Sequence, residues 1–396
     1  MDNSKNDTDS ISMLKKLATS SLSPVWNQIK KMPHAILELD SAMTDLQLTT
    51  KSTATELEVF YKHSNEVAKS LGISTSAVIQ ATTDWTKLGY SIKEAQSLAK
   101  TSSILSSISP GMDISNATKA IANAMKVYGI EAGDTLDGIA SKINIVGKSL
   151  SISNQDISEI LNTSATAMKA ANIGLEETIA LGTAAQSTIH DTMDVGNALN
   201  TVSSRIQGFD GETNNLSANL AQLNRDIYNL TNHQVSIRFD DNTYKDIYTI
   251  LDEINRVWGN LTDSQRSGIL SELFSPEQAN AGAAIITNFD KARQAIDLMQ
   301  NSAGNAMAEM NAVYDSLEFK INHLAETGTG IAQNLFEQDD MKTVLDMLNR
   351  VGEALDFVTE KFGLFGTAGA TLGAVLGAKN LGIVYECTQS NHCLLF

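Results

Sequence analysis

Proline is scarce in this chain of 396 residues, which contains only four, and none lies between Gly111 and Ser275. Because proline breaks helices, its absence from this span permits long helical stretches. The two cysteines, Cys387 and Cys393, lie among the last ten residues, so a disulfide framework is excluded for the body of the chain. Hydrophobic residues make up 42%, a share that argues against wholesale disorder.

Positive charge is also in short supply, since 29 Lys and Arg residues face 46 Asp and Glu residues, for a net charge of −17. A nucleic-acid binder depends on cationic contacts to phosphate, so this balance argues against specific nucleic-acid binding. Residues 1–33 depart from the trend, with five Lys against three Asp, and we expect a polar and helical leader there. No apolar run follows Lys15 and Lys16, so no secretory signal is predicted.

Groups that carry out chemistry are missing in any recognisable arrangement. None of the six histidines lies within five positions of another, and the sequence has no HExxH, Walker, GxGxxG or GxSxG motif. We interpret His392 beside Cys393 as part of a chain terminus rather than a metal site. The Asp240–Asn242 stretch lacks the spacing and the late glutamate of a calcium loop. We therefore predict no catalytic residue, no cofactor and no metal, and a protein that is not an enzyme.

What the sequence does contain is one pattern that occurs twice, in residues 71–95 and 150–178. Each copy reads as a cap, a helix, a short break and a second capped helix. Ile73 lies 79 residues before Ile152, whereas Ile92 lies 83 residues before Leu175. The difference is about one helical turn, so the first helix of the second copy is predicted to be one turn longer. The pattern fits an imperfect internal duplication, with chance similarity between two helix pairs as the alternative.

Capping signals recur along the chain and predict where its helices begin. The predicted caps are Ser74, Ser91, Ser153, Gly174, Thr262 and Ser275. A helix is predicted over Leu216–Leu230 and two long helices over 280–325, while Val235–Phe239 alternates as a strand does. The predicted fold is all-α, a multi-helix array of capped helix pairs with at most one short β element near 235–239.

The texture of the sequence divides it into five segments. They are the leader 1–33, a helical core 34–207 with the duplication, a loop-rich insert 208–243, a second helical segment 244–330, and 331–396 with an amphipathic helix, a Gly-rich apolar segment and a short tail. The uncharged stretch 362–378 is at the short end of what spans a bilayer. Gly369, Gly373 and Gly377 have the spacing that lets helices approach closely, so membrane insertion and a packed helical hairpin both stay open.

An ordered series of segments resembles the core region of the tail tape measure proteins of long-tailed bacteriophages and prophages. The segments are Leu39–Leu46, Leu88–Ile92, Asn197–Gly208, Asp240–Tyr248, Val257–Asp263, Asn301–Ala306 and Lys379–Gly382. The single positions that carry the resemblance are Leu88, Gly89, Tyr90, Arg205, Ile206, Asp241, Asn242, Trp258, Gln278, Asn280 and Gly304.

The resemblance implies a helical, coiled-coil structural protein of the virion tail, made in the cytoplasm of the bacterial host. In that family the length of the protein sets how many tube rings assemble, and the protein leaves the tube ahead of the DNA. The resemblance also implies homo-oligomerisation and contacts with tail tube proteins, tail-tip proteins and tail assembly chaperones. Contact with the host membrane would run through 362–378.

Two departures from the family pattern limit these expectations. Ser275–Gln278 stands where the family carries a basic Gly-Lys-Arg-Gln stretch, so any contact made by that basic pair is in doubt here. The chain is also short, because 396 helical residues would reach only about 600 Å at 1.5 Å per residue. We expect a truncated or fragmentary form that is a folded core rather than the ruling rod. The alternatives are a membrane-active helical protein that uses 362–378 and a generic helical adaptor.

Overall fold

The computed structural model describes residues 37–150, 152–209, 215–240 and 243–314, together with Ser316, Phe319, Asn322, His323 and Glu326. This part of the chain is helical apart from turns and one isolated antiparallel bridge, which confirms the predicted all-α fold. The leader 1–33, the amphipathic helix expected at 340–360 and the apolar segment 362–378 lie outside the described residues.

The helices follow one another with short connections. In chain order they are α1 (37–50), α2 (Ala54–Leu71), α3 (Thr75–Lys87), α4 (Ile92–Ser107), α5 (Ile114–Tyr128), α6 (Ser141–Ser149), α7 (Asn154–Ala170), α8 (Leu175–Ile189), α9 (Thr192–Ile206), α10 (Leu216–Leu230), α11 (Ile247–Trp258), α12 (Asp263–Leu273), α13 (Ala279–Thr287), α14 (Phe289–Gln300) and α15 (Asn305–Tyr314). A 3₁₀ turn at Ala132–Asp134 and a π-helix at Leu136–Ala140 precede α6, and a 3₁₀ turn at Pro276–Gln278 precedes α13.

The contacts divide the described chain into two units, and the division falls within α3. The first unit comprises residues 37–80 and the described residues between 316 and 326, and the second comprises 81–314. The five-segment division predicted from the sequence remains a proposal. In the first unit the buried apolar side chains include Leu39, Leu46, Phe60, Leu71 and Val78.

In the second unit α7 packs against α5, α8 and α9, and α8 packs in turn against α13 and α14. Two glycines make the close approaches to α7 possible. A Cβ atom at Gly182 would lie 2.8 Å from Cγ2 of Ile160, and one at Gly196 would lie 2.6 Å from Cβ of Thr163. Both distances are too short for carbon atoms in contact, so α8 and α9 could not lie this near to α7 with larger residues there.

The predicted capping boxes are present. The Ser91 hydroxyl accepts a hydrogen bond from the backbone N–H of Glu94, and the Glu94 carboxylate accepts one from the N–H of Ser91 at 3.0 Å. Thr262 and Gln265 make the same reciprocal pair at the start of α12. The hydrogen bonds from the Ser91 side chain and backbone lower the pKa of Glu94. Local sequence therefore determines these helix starts.

The two copies of the doubled pattern end their first helices in the same way. The N–H of Tyr90 bonds to the carbonyl of Trp85 at 3.4 Å, and the N–H of Ile173 bonds to the carbonyl of Met168 at 2.9 Å. The residue before each donor is left-handed, with φ of +97° at Gly89 and +63° at Asn172. This is the Schellman arrangement. The first helix has 13 residues in α3 and 17 in α7, which is the one-turn difference that the spacing predicts.

The predicted strand at 235–239 is reduced to a single bridge between Arg238 and Tyr244. The N–H of Phe239 bonds to the carbonyl of Thr243, and the N–H of Lys245 bonds to the carbonyl of Ile237, both at 2.9 Å. The alternation holds for Val235 and Ile237, which are buried, but not for Phe239, which is exposed. Within the described residues no third strand adds to the bridge, so it does not become a sheet.

The prediction of two long helices over 280–325 is wrong for residues 280–314, which form α13, α14 and α15. The first break is at Asn288, whose side-chain amide donates to the carbonyl of Ala284 and to Oγ1 of Thr188. The second break runs from Asn301 to Gly304, where φ is +75°. The predicted start at Ser275 also differs, because its side chain contacts Glu277 and Gln278 and a 3₁₀ turn comes before α13.

The shared turn predicts matched effects of substitution at Gly89 and Asn172. Gly89→Ala and Asn172→Ala should each lower the free energy of unfolding by about 1 kcal/mol, because an L side chain without local hydrogen bonding is strained in the left-handed region. Nothing lies within 4 Å of a Cβ at Gly89, so its loss would be conformational rather than steric. Asn172→Gly is the control and should leave stability unchanged or raise it. Denaturant unfolding measures all three, and a loss in only one of the two Ala variants would contradict the equivalence.

Candidate functional site

The first group of positions that resemble the tape measure family lies at the turn between α3 and α4. Leu88 is exposed, Gly89 is the left-handed residue of the turn, and the Tyr90 ring packs edge-on against Trp85 with the ring centroids 5.4 Å apart. The Trp85 indole is fully buried and donates to the Ser102 hydroxyl at 3.1 Å. This group therefore shapes a helix turn and leaves one apolar side chain exposed.

A second group of these positions lies near the C-terminal end of α9. Arg205 and Ile206 are the last two residues of α9, and Ile206 is buried. One turn earlier, the Thr201 hydroxyl donates to Oε1 of Gln278 at 3.4 Å. The structure thus brings Gln278 to the helix that carries Arg205 and Ile206. Asn280 follows in the first turn of α13, where its side chain is exposed.

The other positions lie apart. Trp258 ends α11, and the Arg266 guanidinium lies 5.9 Å from its ring centroid. Gly304 precedes α15. Asp241 and Asn242, like Gly369, Gly373 and Gly377, lie outside the described residues. The predicted positions hence do not converge on one pocket, and most of the described ones stand at helix ends and turns.

The start of α15 is the best-defined polar site of the second unit. Oδ1 of Asp137, in the π-helix, accepts from the N–H of Gly304 at 2.8 Å. The Ser141 hydroxyl donates to the same oxygen at 3.1 Å and accepts from the N–H of Ala306 at 3.2 Å. The first turn of α15 contains no acidic residue of its own. Two side chains about 165 residues away in sequence therefore bind backbone groups that a helix start leaves without partners.

The same contact continues into a buried hydrogen-bond network. Nδ2 of Asn144 donates to Oδ1 of Asn305 at 2.7 Å, and Oδ1 of Asn144 accepts from Nδ2 of Asn154 at 3.1 Å. Asn154 also donates to the Ser109 hydroxyl at 2.8 Å. Ser109, Asn144 and Asn154 are all buried. We call the residues Asp137, Ser141, Asn144, Asn154 and Asn305 the polar seam, since they join the start of α15 to α6 and to the start of α7.

Gly147 is the residue that makes room for this network. A Cβ atom there would lie 1.9 Å from Oδ1 of Asn154. At the exposed end of the polar seam, the Lys148 ammonium forms an ion pair with the Glu309 carboxylate. An exposed pair of this kind contributes little to stability, so the buried amides carry most of the energy of the contact.

A cleft of about 910 Å³ opens beside the polar seam, between the π-helix, the start of α8 and the end of α14. Its charged lining residues are Asp134, Asp137, Lys142, Glu176 and Glu177. Lys142 forms an ion pair with Glu176. Burial acts to raise the pKa of Glu176, but the hydrogen bond and charge of Lys142 outweigh it, and the pKa lies below its ordinary value. The Glu177 carboxylate accepts from the N–H of Gly174 at 2.8 Å.

The contacts of the polar seam and the cleft join helices, and none of them pairs a nucleophilic side chain with a general base. Within the described residues, no group of three or more His, Cys, Asp or Glu side chains could hold a metal ion. The same residues include no helix long and apolar enough to cross a membrane. The arrangement can fix one segment of the chain against another.

Sequence reasoning missed the polar seam, although part of it has a signal. Asp137, Ser141, Asn144 and Lys148 are spaced four, three and four apart, which places them on one helical face. A polar stripe on a helix that also carries buried Ile139, Ile143 and Val146 could have marked a buried polar contact. The partner of that stripe has no signal in the sequence.

The described part of the chain is thus a helical array in which the polar seam joins distant segments. The sequence model of the family described as phage-related minor tail protein matches residues 62–275, more than half of the chain. The chain therefore belongs to the phage-related minor tail protein family. No solved structure matches it.

The polar seam predicts unequal effects of two neighbouring substitutions. Asn144→Ala should lower the free energy of unfolding by about 2–3 kcal/mol, because it leaves the amides of Asn154 and Asn305 short of a buried partner. Lys148→Ala, one turn further on, should cost at most about 1 kcal/mol. Denaturant unfolding of both variants compares them. Equal losses would show that the buried amides have no special weight.

A double-mutant cycle isolates the Asn144–Asn305 contact itself. Asn144→Ala and Asn305→Ala together should cost less than the sum of the two single changes, by about 1 kcal/mol. Strict additivity would show that the two amides do not interact in solution.

Proposed function

We propose that this protein is the folded core of a tail tape measure protein and acts in tail assembly and tail length determination, with a role in DNA ejection. Its membership of the minor tail protein family supports the tail assignment. The observation that carries the finer proposal is where the tape-measure-like segments lie. Leu88–Ile92, Gln278 and Asn301–Ala306 stand at the ends of helices and in the turns between them.

The proposed role is non-catalytic. The contacts at the polar seam and the adjacent cleft stabilise helix ends, and none pairs a nucleophile with a base. The proposed partners are other tail components, namely tube proteins, tail-tip proteins and assembly chaperones, together with further copies of the chain. The proposed location is the virion tail.

Helix length favours a folded core over a ruling rod in the described part of the chain. From α2 to α15, helix length ranges from 9 residues in α6 to 18 in α2. A helix of 18 residues is about 27 Å long. Successive helices are separated by capped turns and pack against one another, as α7 does against α5, α8 and α9. Extra residues in such an array would not add their full length to a ruler.

An insertion tests the folded core. Forty helix-forming residues placed between Phe209 and Asn215 should leave tail length unchanged, because an insertion between packed helices loops out. A ruling rod would instead lengthen by about 60 Å at 1.5 Å per residue. Electron microscopy of assembled tails measures the length, and an equally long Gly/Ser insertion is the matched control. A lengthening of the full amount with the helical insertion alone would refute the folded core.

A separate measurement tests the tail assignment itself. Mass spectrometry of purified tails should detect the chain, and its consistent absence from intact tails would contradict a structural role there.

A further inference from the structure

The corner between α2 and α3 presents two helix ends of opposite character. α2 ends at Leu71, and Gly72 follows with φ of +65°. α3 begins at Thr75. The last carbonyls of α2 and the first N–H groups of α3 lack partners within their own helices, and they carry partial negative and positive charge respectively.

Three residues from far along the chain meet this corner. The Phe319 ring occupies the space above Gly72, where a Cβ atom would lie 2.4 Å from Cδ2 of the ring. Nδ1 of His323 lies 2.8 Å from the carbonyl oxygen of Lys69. The Glu326 carboxylate accepts from both the N–H and the hydroxyl of Thr75, at 2.9 and 2.7 Å. The spacing of four and three places Phe319, His323 and Glu326 on one helical face.

Each polar group matches the helix end that it contacts. The Lys69 carbonyl can only accept, so Nδ1 of His323 carries the proton and donates it near the negative end of α2. The carboxylate of Glu326 lies at the positive end of α3. Asn65 completes the site, since its side-chain amide donates to the Thr75 hydroxyl at 2.9 Å. Asn65, Thr75 and Glu326 are buried.

Glu326 supplies the acidic side chain that the first turn of α3 lacks. The neighbouring helices α2 and α4 carry their own acids in capping boxes, Glu56 and Glu94. The first turn of α3 has none, and its local cap is only the Ser74 hydroxyl, which accepts from the N–H of Ala77 at 3.2 Å. An acid 251 residues away therefore takes the place of a local one.

We propose that Phe319, His323 and Glu326 form a reversible latch, which holds their segment on the α2–α3 corner and can open while α2 and α3 stay folded. The contact consists of one ring and two polar groups, whereas α2 has its own capping box and its own buried face. Opening would expose Gly72 and the start of α3. The latch is independent of the proposed role in tail length.

Protonation of Glu326 should regulate the latch. Burial raises the pKa of Glu326, although the hydrogen bonds from Thr75 and the charge of Lys69 oppose the rise. A raised pKa in the closed state means that closure is most favourable at pH below the ordinary value and weakens as pH rises through the raised one. Lys69 on α2 and His323 on the same segment are the other titratable groups that face the contact. The latch should tighten as pH falls from 7 to 5.

Hydrogen exchange at the Thr75 amide of the full chain tests the latch directly. Glu326→Ala should speed exchange about tenfold at the start of α3 and leave protection in the middle of α2 unchanged. Glu326→Gln keeps a carbonyl oxygen that accepts from Thr75, so it should retain most of the protection but lose the gain that the native chain shows between pH 7 and 5. Each variant is compared with the native chain at the same pH.

Glu56→Gln is the matched control, because Glu56 caps α2 locally in the same unit and should not affect Thr75. Unchanged exchange at Thr75 in Glu326→Ala would overturn the latch. Loss of protection throughout α2 and α3 would also overturn it, since the contact would then be part of the core. An identical pH dependence in Glu326→Gln and the native chain would refute the regulation by protonation.

Discussion

Helix ends are the constraint on which the rest of this structure depends. A chain divided into helices of 9 to 18 residues has a large share of its backbone in first and last turns, where N–H and carbonyl groups have no partner within the helix. Most helix starts are satisfied locally, by a capping box as at Ser91 or by an acid as at Asp246. The first turns of α3 and α15 contain no acid, and at each of these two starts an acid from a distant segment binds the backbone.

A distant cap acts differently from a local one. Both form a hydrogen bond of similar net strength, about 1–3 kcal/mol when the acceptor is charged. The local cap stabilises one helix, whereas the distant cap also closes a loop, of 167 residues between Asp137 and Gly304 and 251 between Thr75 and Glu326. Loss of a distant cap therefore affects the joining of segments as well as a helix start. The polar seam is a contact of this distant kind.

The division between local and distant caps also explains how far the sequence could predict the structure. The start of α4 at Ser91, the full extent of α10 and the extra turn of α7 followed from residues within a few positions of one another. The break at Asn288 did not, because an asparagine in an apolar helical pattern gives no sign that its amide will bond to Thr188. The polar seam could be predicted only in part. The polar residues from Asp137 to Lys148 have helical spacing, but their partners near Gly304 and Asn305 are brought to them only by the tertiary fold.

The family match and the second folded unit end at different residues. The match ends at residue 275, while the second unit continues to 314 and contains Gly304–Ala306, where the polar seam meets α15. Ser141 and Asn144 are buried, lie inside the matched region, and form hydrogen bonds with residues outside it. A chain cut at the end of the match would lose the hydrogen bonds that Asn144 and Ser141 form with Asn305 and Ala306, at a cost of about 1–3 kcal/mol each. Sequence similarity thus identifies the family, whereas hydrogen bonding determines how much of the chain the fold requires.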